Sequence, residues 1–164
     1  IVTKDLFEQY PTLDSLSQAN HADIYAILKP CGLGKTKAKD TIATSKMLIE
    51  KYNRILPDSI EELTKLPGIG RKTANLIMGD IYGQPAIVCD THCIRITNHI
   101  GLSTSTNPII VERELKAVLP PSESSDFCHR MVLHGRAVCK ARSPLCELCC
   151  VKDLCNDYKK KIKK

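Results

Sequence analysis

The chain of 164 residues has no tryptophan, only two phenylalanines and an aromatic share of 4%. A protein that holds single strands by stacking bases on aromatic side chains is not expected from so few rings. No apolar run approaches the roughly 20 residues needed to span a bilayer, so no membrane partner is expected. The sequence begins at Ile1, without Met and without the charged-then-apolar pattern of a secretory leader. An intracellular location is the expectation, cytoplasm and nucleoid if the source is bacterial. Alternating strand patterns are missing, as is any repeat with a period of about 20–50 residues. Cysteine is not scarce: there are nine, and an odd number argues against a fully paired disulfide framework. An apolar share of 43% is enough for a folded globule.

The net charge of +6 is less than it looks, because five lysines lie in the last six residues, Lys159–Lys164. Without them the balance is near +1. The tail is either a phosphate-attracting arm or a solvated terminus.

Helical periodicity runs through nearly all the rest. Val2, Leu6 and Tyr10 predict a helix already under way at residue 1, and Ala22–Leu28 a short helix ended by Pro30. Gly32-Leu33-Gly34 reads as a turn before a long helix over Lys35–Tyr52, with Ala38, Ile42, Ser45 and Ile49 along one face. Asp58 and Glu61 have capping-box spacing for a short helix through Leu63. Further helices are predicted from Arg71 to about Tyr82, over Thr91–Ile100 with Asp90 as N-cap, over Ile109–Val118, and over Asp126–Val138. The fold class is all-α.

Leu66-Pro67-Gly68-Ile69-Gly70 between two helices is a tight helical hairpin. Its glycines allow positive φ and close approach of another backbone, and the next helix's first N–H groups form an anion site. Such a contact fixes position on DNA without reading sequence. Lys72 points away from the stripe of Ala74, Ile77, Met78 and Ile81, while Leu76 lies on its own side. A helix apolar on both sides predicts cover on both sides, with Lys72 in a cleft. Beside Arg71 and the positive helix end, its amine would be driven toward the neutral, nucleophilic form. An ordinary surface lysine has the same spacing.

Asp90, within Val88-Cys89-Asp90-Thr91-His92, is a helix N-cap whose carboxylate would stay ionised and rigidly aimed, able to stabilise a developing cation. His92 either joins it or packs, and His134 reads as a hydrogen-bonded core histidine. Cys139, Cys146, Cys149 and Cys155 follow C-x6-C-x2-C-x5-C. Four thiolates on one short segment suit metal chemistry better than disulfides. Zinc prefers two C-x2-C pairs, whereas a [4Fe–4S] cube tolerates wider spacing. The loop between the first two cysteines carries Lys140 and Arg142, either for phosphate or merely solvated.

Leu66–Asn75, Val88–His92, Leu133-His134-Gly135-Arg136 and the four cysteines, in this order, resemble the endonuclease III family of DNA glycosylases in the helix-hairpin-helix superfamily. The likeness runs from about Asp5 to Asp157. It implies a two-lobed all-α fold: a helical-barrel lobe with the hairpin (1–85), a cluster lobe (86–158) and a basic tail (159–164). It implies a [4Fe–4S] cluster on Cys139, Cys146, Cys149 and Cys155, with Lys72 and Asp90 catalytic. DNA contacts would come from Leu33 as an apolar wedge, Pro67, Gly68, Ile69, Gly70, Arg71, His92, Lys140 and Arg142. The implied activity is base excision repair by a monomer. Oxidised pyrimidines are removed from double-stranded DNA, and the abasic site is cleaved by β-elimination through a Lys72 Schiff base. The target base has to leave the stack before its C1′ is reachable.

The family normally has some 25–45 further residues before the point where this sequence starts, so an N-terminally short, less active chain is one expectation. A non-catalytic hairpin DNA-binding module and a zinc-stabilised interaction domain are the alternatives. Cys31, Cys89, Cys93, Cys128 and Cys150 receive no role.

Overall fold

A computed structural model describes residues 2–162. Among them there are helices, short 3₁₀ turns and connecting loops but no strand, so the chain is all-α as expected. The chain divides into two compact units, Ile1–Ala74 and Asn75–Lys164. No described helix is long and apolar enough to cross a membrane.

The first unit contains α1 (Val2–Gln9), α2 (Leu13–Ser17), α3 (His21–Leu28), α4 (Gly34–Lys51), α5 (Ile60–Leu63) and the start of α6 (Arg71–Asp80). Leu6, Leu16, Ile24, Leu28 and Ala38 form its core, where α4 packs against α2 and α3. Full burial of each large aliphatic side chain is worth about 1.5–3 kcal/mol. Local chemistry starts the short helices. Thr12 and Ser15 cap α2 reciprocally, and Asn20 accepts the Ala22 N–H at 2.8 Å to start α3. α4 ends where Asn53 and Arg54 adopt positive φ, and the Arg54 guanidinium grips both carboxylate oxygens of Asp14 at 2.6 and 2.9 Å. Helix α2 has no counterpart in the sequence expectations. The predicted cap of α5 shifts by one residue: the N-cap is Ser59, not Asp58; its backbone is extended, and its hydroxyl accepts the Glu62 N–H. The expectation of a helix beginning at residue 1 lies outside the described residues.

The second unit contains the remainder of α6, then α7 (Thr91–Ile100), α8 (Pro108–Val118), α9 (Ser124–Ala137) and α10 (Asn156–Ile162). Ile87, Cys93, Val111, Leu115 and Cys128 form its core, with Phe127 and Met131 against it. Asn107 caps α8 with Pro108 at the first helical position. Gly101, at φ 88°, closes α7 in the left-handed cap that glycine favours. α10 packs on α7, with Asp157 paired to His99 and Asn156 over Gly101. The supposed tail is thus helical through Ile162, while Lys163 and Lys164 lie outside the described residues.

Candidate active site

The hairpin is held from behind. Thr44 Oγ1 on α4 donates to the Pro67 carbonyl at 2.7 Å, and Leu63 and Leu66, both at most 2% exposed, anchor the turn. Gly68 has φ +75°, and a Cβ there would stand 2.8 Å from the Cβ and Oδ2 of Asp40. Gly70 differs from expectation: its φ is not positive, and a Cβ would meet nothing within 4 Å. Gly68 is therefore demanded by the fold, whereas Gly70 leaves bare backbone facing open space. Behind the turn, a cavity of about 390 Å³ opens between it and α4, reaching Lys37, Asp40 and Thr41.

Lys72 sits in the first turn of α6 and is exposed. The buried face of this helix is Ala74 and Asn75. Ile77 and Met78 are half-buried, and Ile81, assigned to the apolar stripe, is 64% exposed. Leu76, on the lysine's side, is 36% exposed. Cover on both faces does not hold for this helix.

Among the described residues Leu33 is the most exposed large apolar side chain, at 80%, and it adopts left-handed φ 53°, ψ 26°. A leucine in that region costs about 1–2 kcal/mol. Its neighbours fix it there: Gly32 turns at φ +61°, and Gly34 lies so close to α3 that a Cβ would be 2.8 Å from the Leu28 carbonyl oxygen.

Asp90 caps α7 as expected. It is half-buried, and its Oδ1 accepts the Cys93 N–H at 2.7 Å. His92, the second residue of the same helix, packs where α9 has no side chain. A Cβ at Gly135 would collide with the His92 ring. The Arg95 guanidinium lies 3.3 Å from His92 Nδ1 and donates to the Cys139 carbonyl at 2.6 Å. Sequence reasoning named the stretch Leu133–Arg136 without finding what its glycine does, and it missed Arg95 altogether. Arg95's position on the inner face of α7 was the available signal.

After α9 the chain loses helical periodicity and makes two equivalent turns. Cys146-Glu147-Leu148 closes with the Cys149 N–H on the Cys146 carbonyl at 3.0 Å, and Lys152-Asp153-Leu154 with the Cys155 N–H on the Lys152 carbonyl at 3.0 Å. Cys149 and Cys155 follow these turns with nearly the same backbone conformation. They line one cavity together with Cys139 and Cys146, roofed by Pro144 and Leu145, while Cys150 is exposed. Burial raises the Cys139 thiol above its ordinary value against the nearby Arg95 guanidinium, and Cys149 and Cys155 beside it push the same way. No three of the described His, Cys, Asp or Glu residues close on a single ion. Four soft thiols around a shared apolar pocket fit an iron–sulfur cube rather than one zinc ion. His134 is hydrogen-bonded as expected but only half-buried: its Nε2 lies 3.5 Å from the Cys149 sulfur. Lys140 and Arg142 are exposed on the loop between the first two cysteines.

Known proteins share this arrangement. A family model described as the HhH-GPD superfamily base excision DNA repair protein matches residues 2–121, and one described as the iron-sulfur binding domain of endonuclease III matches residues 139–155. The class is that of helix-hairpin-helix base excision repair proteins. The chain is 39% identical over 162 residues to endonuclease III of Rickettsia felis, covering 99% of this chain and 76% of the relative. To endonuclease III of Thermotoga maritima it is 40% identical over 161 residues, covering 98% and 76%. A solved structure of a trapped covalent intermediate between an endonuclease III and DNA matches with TM-score 0.92 at 38% identity, again covering 98% and 76%. The chain belongs to the endonuclease III family: it is a DNA glycosylase and abasic-site lyase of base excision repair with a [4Fe–4S] cluster.

Proposed function

We propose that Lys72 is the nucleophile and Asp90 the electrostatic and proton-handling partner. The reaction removes oxidised pyrimidines from duplex DNA and cleaves the resulting abasic site. The observation that carries this reading is the Asp90 carboxylate. One oxygen is tied to the Cys93 N–H at the positive end of α7, so the group is aimed, with its second oxygen available. The neutral Lys72 amine attacks C1′ and the base leaves with the glycosidic electron pair. Loss of the amine proton and ring opening give an imine, and the acidified C2′ proton then leaves with expulsion of the 3′ phosphate. Asp90 stabilises positive charge on the sugar and moves protons.

Pro67–Gly70 and Arg71 present backbone and charge to a phosphate, and the open space over Gly70 supports close approach. Leu33, exposed and rigidly turned, is suited to wedge into the stack. His92, Lys140 and Arg142 supply further DNA contacts. Cys139, Cys146, Cys149 and Cys155 would hold the cluster, whose iron–sulfur bonds tie this segment into one shape. The lobes of this reading are 1–85, 86–158 and a basic tail from 159, and the protein acts as a monomer inside the cell.

Borohydride trapping on duplexes bearing an abasic site or an oxidised pyrimidine tests the assignment. A covalent adduct that is lost in Lys72→Ala and absent with undamaged DNA is expected. No adduct from folded, cluster-loaded protein would overturn it in favour of a non-catalytic DNA-binding module.

A further inference from the structure

The end of α9 gathers the four-cysteine segment. The His134 carbonyl accepts the N–H groups of Val138 at 2.8 Å and of Cys139 at 2.9 Å, which fixes the backbone of the first cysteine. The Val138 carbonyl accepts the Leu145 N–H at 2.9 Å and so brings the chain back to this helix end just ahead of Cys146. The His134 ring reaches further along the segment: its Nε2 lies 3.5 Å from the Cys149 sulfur, and both residues are half-buried. The carbonyl contacts belong to the backbone and do not call for histidine. The ring contact does, because it needs a rigid side chain of this length with a nitrogen at its tip. The proposed reaction gives His134 no task.

We propose that His134 is a positioning residue for the [4Fe–4S] cluster: it donates its Nε2–H to the Cys149 sulfur and thereby sets how readily the cluster gives up an electron. The inference rests on Cys149 being one of the four ligands. A sulfur that ligates iron is a thiolate, which has no proton to donate. The ring nitrogen facing it is therefore the donor, and the neutral ring carries its proton on Nε2 rather than Nδ1. The imidazolium form donates from the same atom, so the role does not depend on the ring's charge.

A hydrogen bond to a ligand sulfur favours the more electron-rich state of a cluster. Oxidation draws charge off the sulfur and weakens the bond, so the contact makes oxidation harder. It also keeps the Cys149 side chain turned toward the iron it binds, as outer partners do for other metal ligands. The neighbouring walls do not supply a substitute: Val138, Pro144 and Leu145 line the pocket beside Cys149 with side chains that donate no hydrogen bond. His134 thus joins the first and third cysteines, one through its carbonyl and the other through its ring.

The test compares the full cluster-loaded chain with His134→Leu and His134→Gln. Glutamine offers an N–H donor at a reach similar to Nε2, and leucine fills similar space without one. Protein-film voltammetry should give a more negative cluster potential for His134→Leu and one close to the unaltered chain for His134→Gln. In air, the visible cluster absorbance should decay about tenfold faster in His134→Leu and be largely protected again in His134→Gln. If the leucine variant does not load, pulsed EPR of the reduced, unaltered chain grown on heavy-nitrogen histidine decides the matter: a labelled-nitrogen coupling that is missing from His134→Gln is expected. An unchanged potential in His134→Leu, equal shifts in both variants, or no labelled-nitrogen coupling would overturn the proposal. Full absorbance in Cys149→Ala would overturn the ligand assignment and this inference with it, whereas a colourless Cys149→Ala beside any of the negative results above would overturn the role of His134 alone.

Discussion

The two hairpin glycines stand two residues apart and should respond oppositely to the same substitution. In Gly68→Ala the new methyl carbon must tolerate φ +75° and a 2.8 Å approach to Asp40. The left-handed backbone costs about 1–2 kcal/mol, and overpacking of this kind typically adds about 1–3. Asp40 sits on α4, the same helix that holds the turn through the Thr44–Pro67 hydrogen bond, so relief by movement strains that 2.7 Å bond as well. A destabilisation of about 3 kcal/mol follows, and at about 2–4 °C per kcal/mol for a chain of this size it lowers the unfolding midpoint by roughly 6–12 °C. In Gly70→Ala nothing stands within 4 Å and φ is not positive. The folded state is undisturbed and the unfolded chain loses freedom, so stability is unchanged or rises by up to about 1 kcal/mol. If a phosphate approaches the bare backbone at residue 70, affinity for duplex DNA falls all the same. Thermal unfolding followed by circular dichroism, beside fluorescence-anisotropy titration with an abasic-site duplex, separates the two effects. Equal midpoints for the two variants would refute the structural argument, and undiminished DNA affinity in Gly70→Ala would refute the close-approach argument.

Leu33→Gly removes the left-handed penalty of about 1–2 kcal/mol and should raise the unfolding midpoint while reducing excision of a paired damaged base in single-turnover assays. Cys149→Ala should lose the visible cluster absorbance, whereas Cys150→Ala, at an exposed neighbour, should retain it. The Thr104 backbone N–H and hydroxyl hold the Glu114 carboxyl below its ordinary value of 4.5. That contribution is complete above the unfolded-state value and is lost as pH falls through the lower folded one, so Glu114→Gln should flatten the acid side of the stability profile. Denaturant unfolding between neutral and acidic pH would show it. Gly135→Ala should displace the His92 ring and lower the unfolding midpoint without abolishing cluster absorbance.

The sequence was most legible where one residue's chemistry decides local structure. Asp90 starts α7 by a side-chain property that operates within four residues, and that boundary is observed; Pro108, expected in the preceding loop, instead opens α8. α2 escaped because its cap pairs Thr12 with a serine at the third position instead of the usual Glu or Gln, and five residues give no periodicity to read. Asp58 and Ser59 are both good caps, and only the backbone conformation of Ser59 selects between them. The four cysteines proposed as ligands stood out by their spacing, but the shape of their segment did not, because it is built from 3₁₀ turns that carry no hydrophobic repeat. Gly135 and Arg95 act across the packing of α7 on α9 and toward Cys139, contacts between residues some 40 apart in the chain that pattern reading cannot pair.

The residues around Asp90 have two tasks that pull in different directions. A capping carboxylate needs only to satisfy one N–H, and Ser, Thr or Asn would do as well. A carboxylate that must also meet developing charge needs a fixed direction, so the backbone beneath it has to be immobile. Val88 supplies part of that rigidity by accepting the Asp90 N–H at 3.0 Å and donating to the Cys128 sulfur. The buried Cys93 side chain supplies the rest by locking the N–H that Asp90 accepts into the core. Thiols suit this position because they pack as apolar groups, and the Cys128 sulfur still accepts a backbone donor. Replacing Cys93 with valine should therefore preserve the cap and most of the stability while loosening the Asp90 carboxylate. The signature would be a lower rate of base excision with unchanged DNA affinity. If both fall together, or neither does, the aiming of Asp90 does not depend on the thiol packing beneath it.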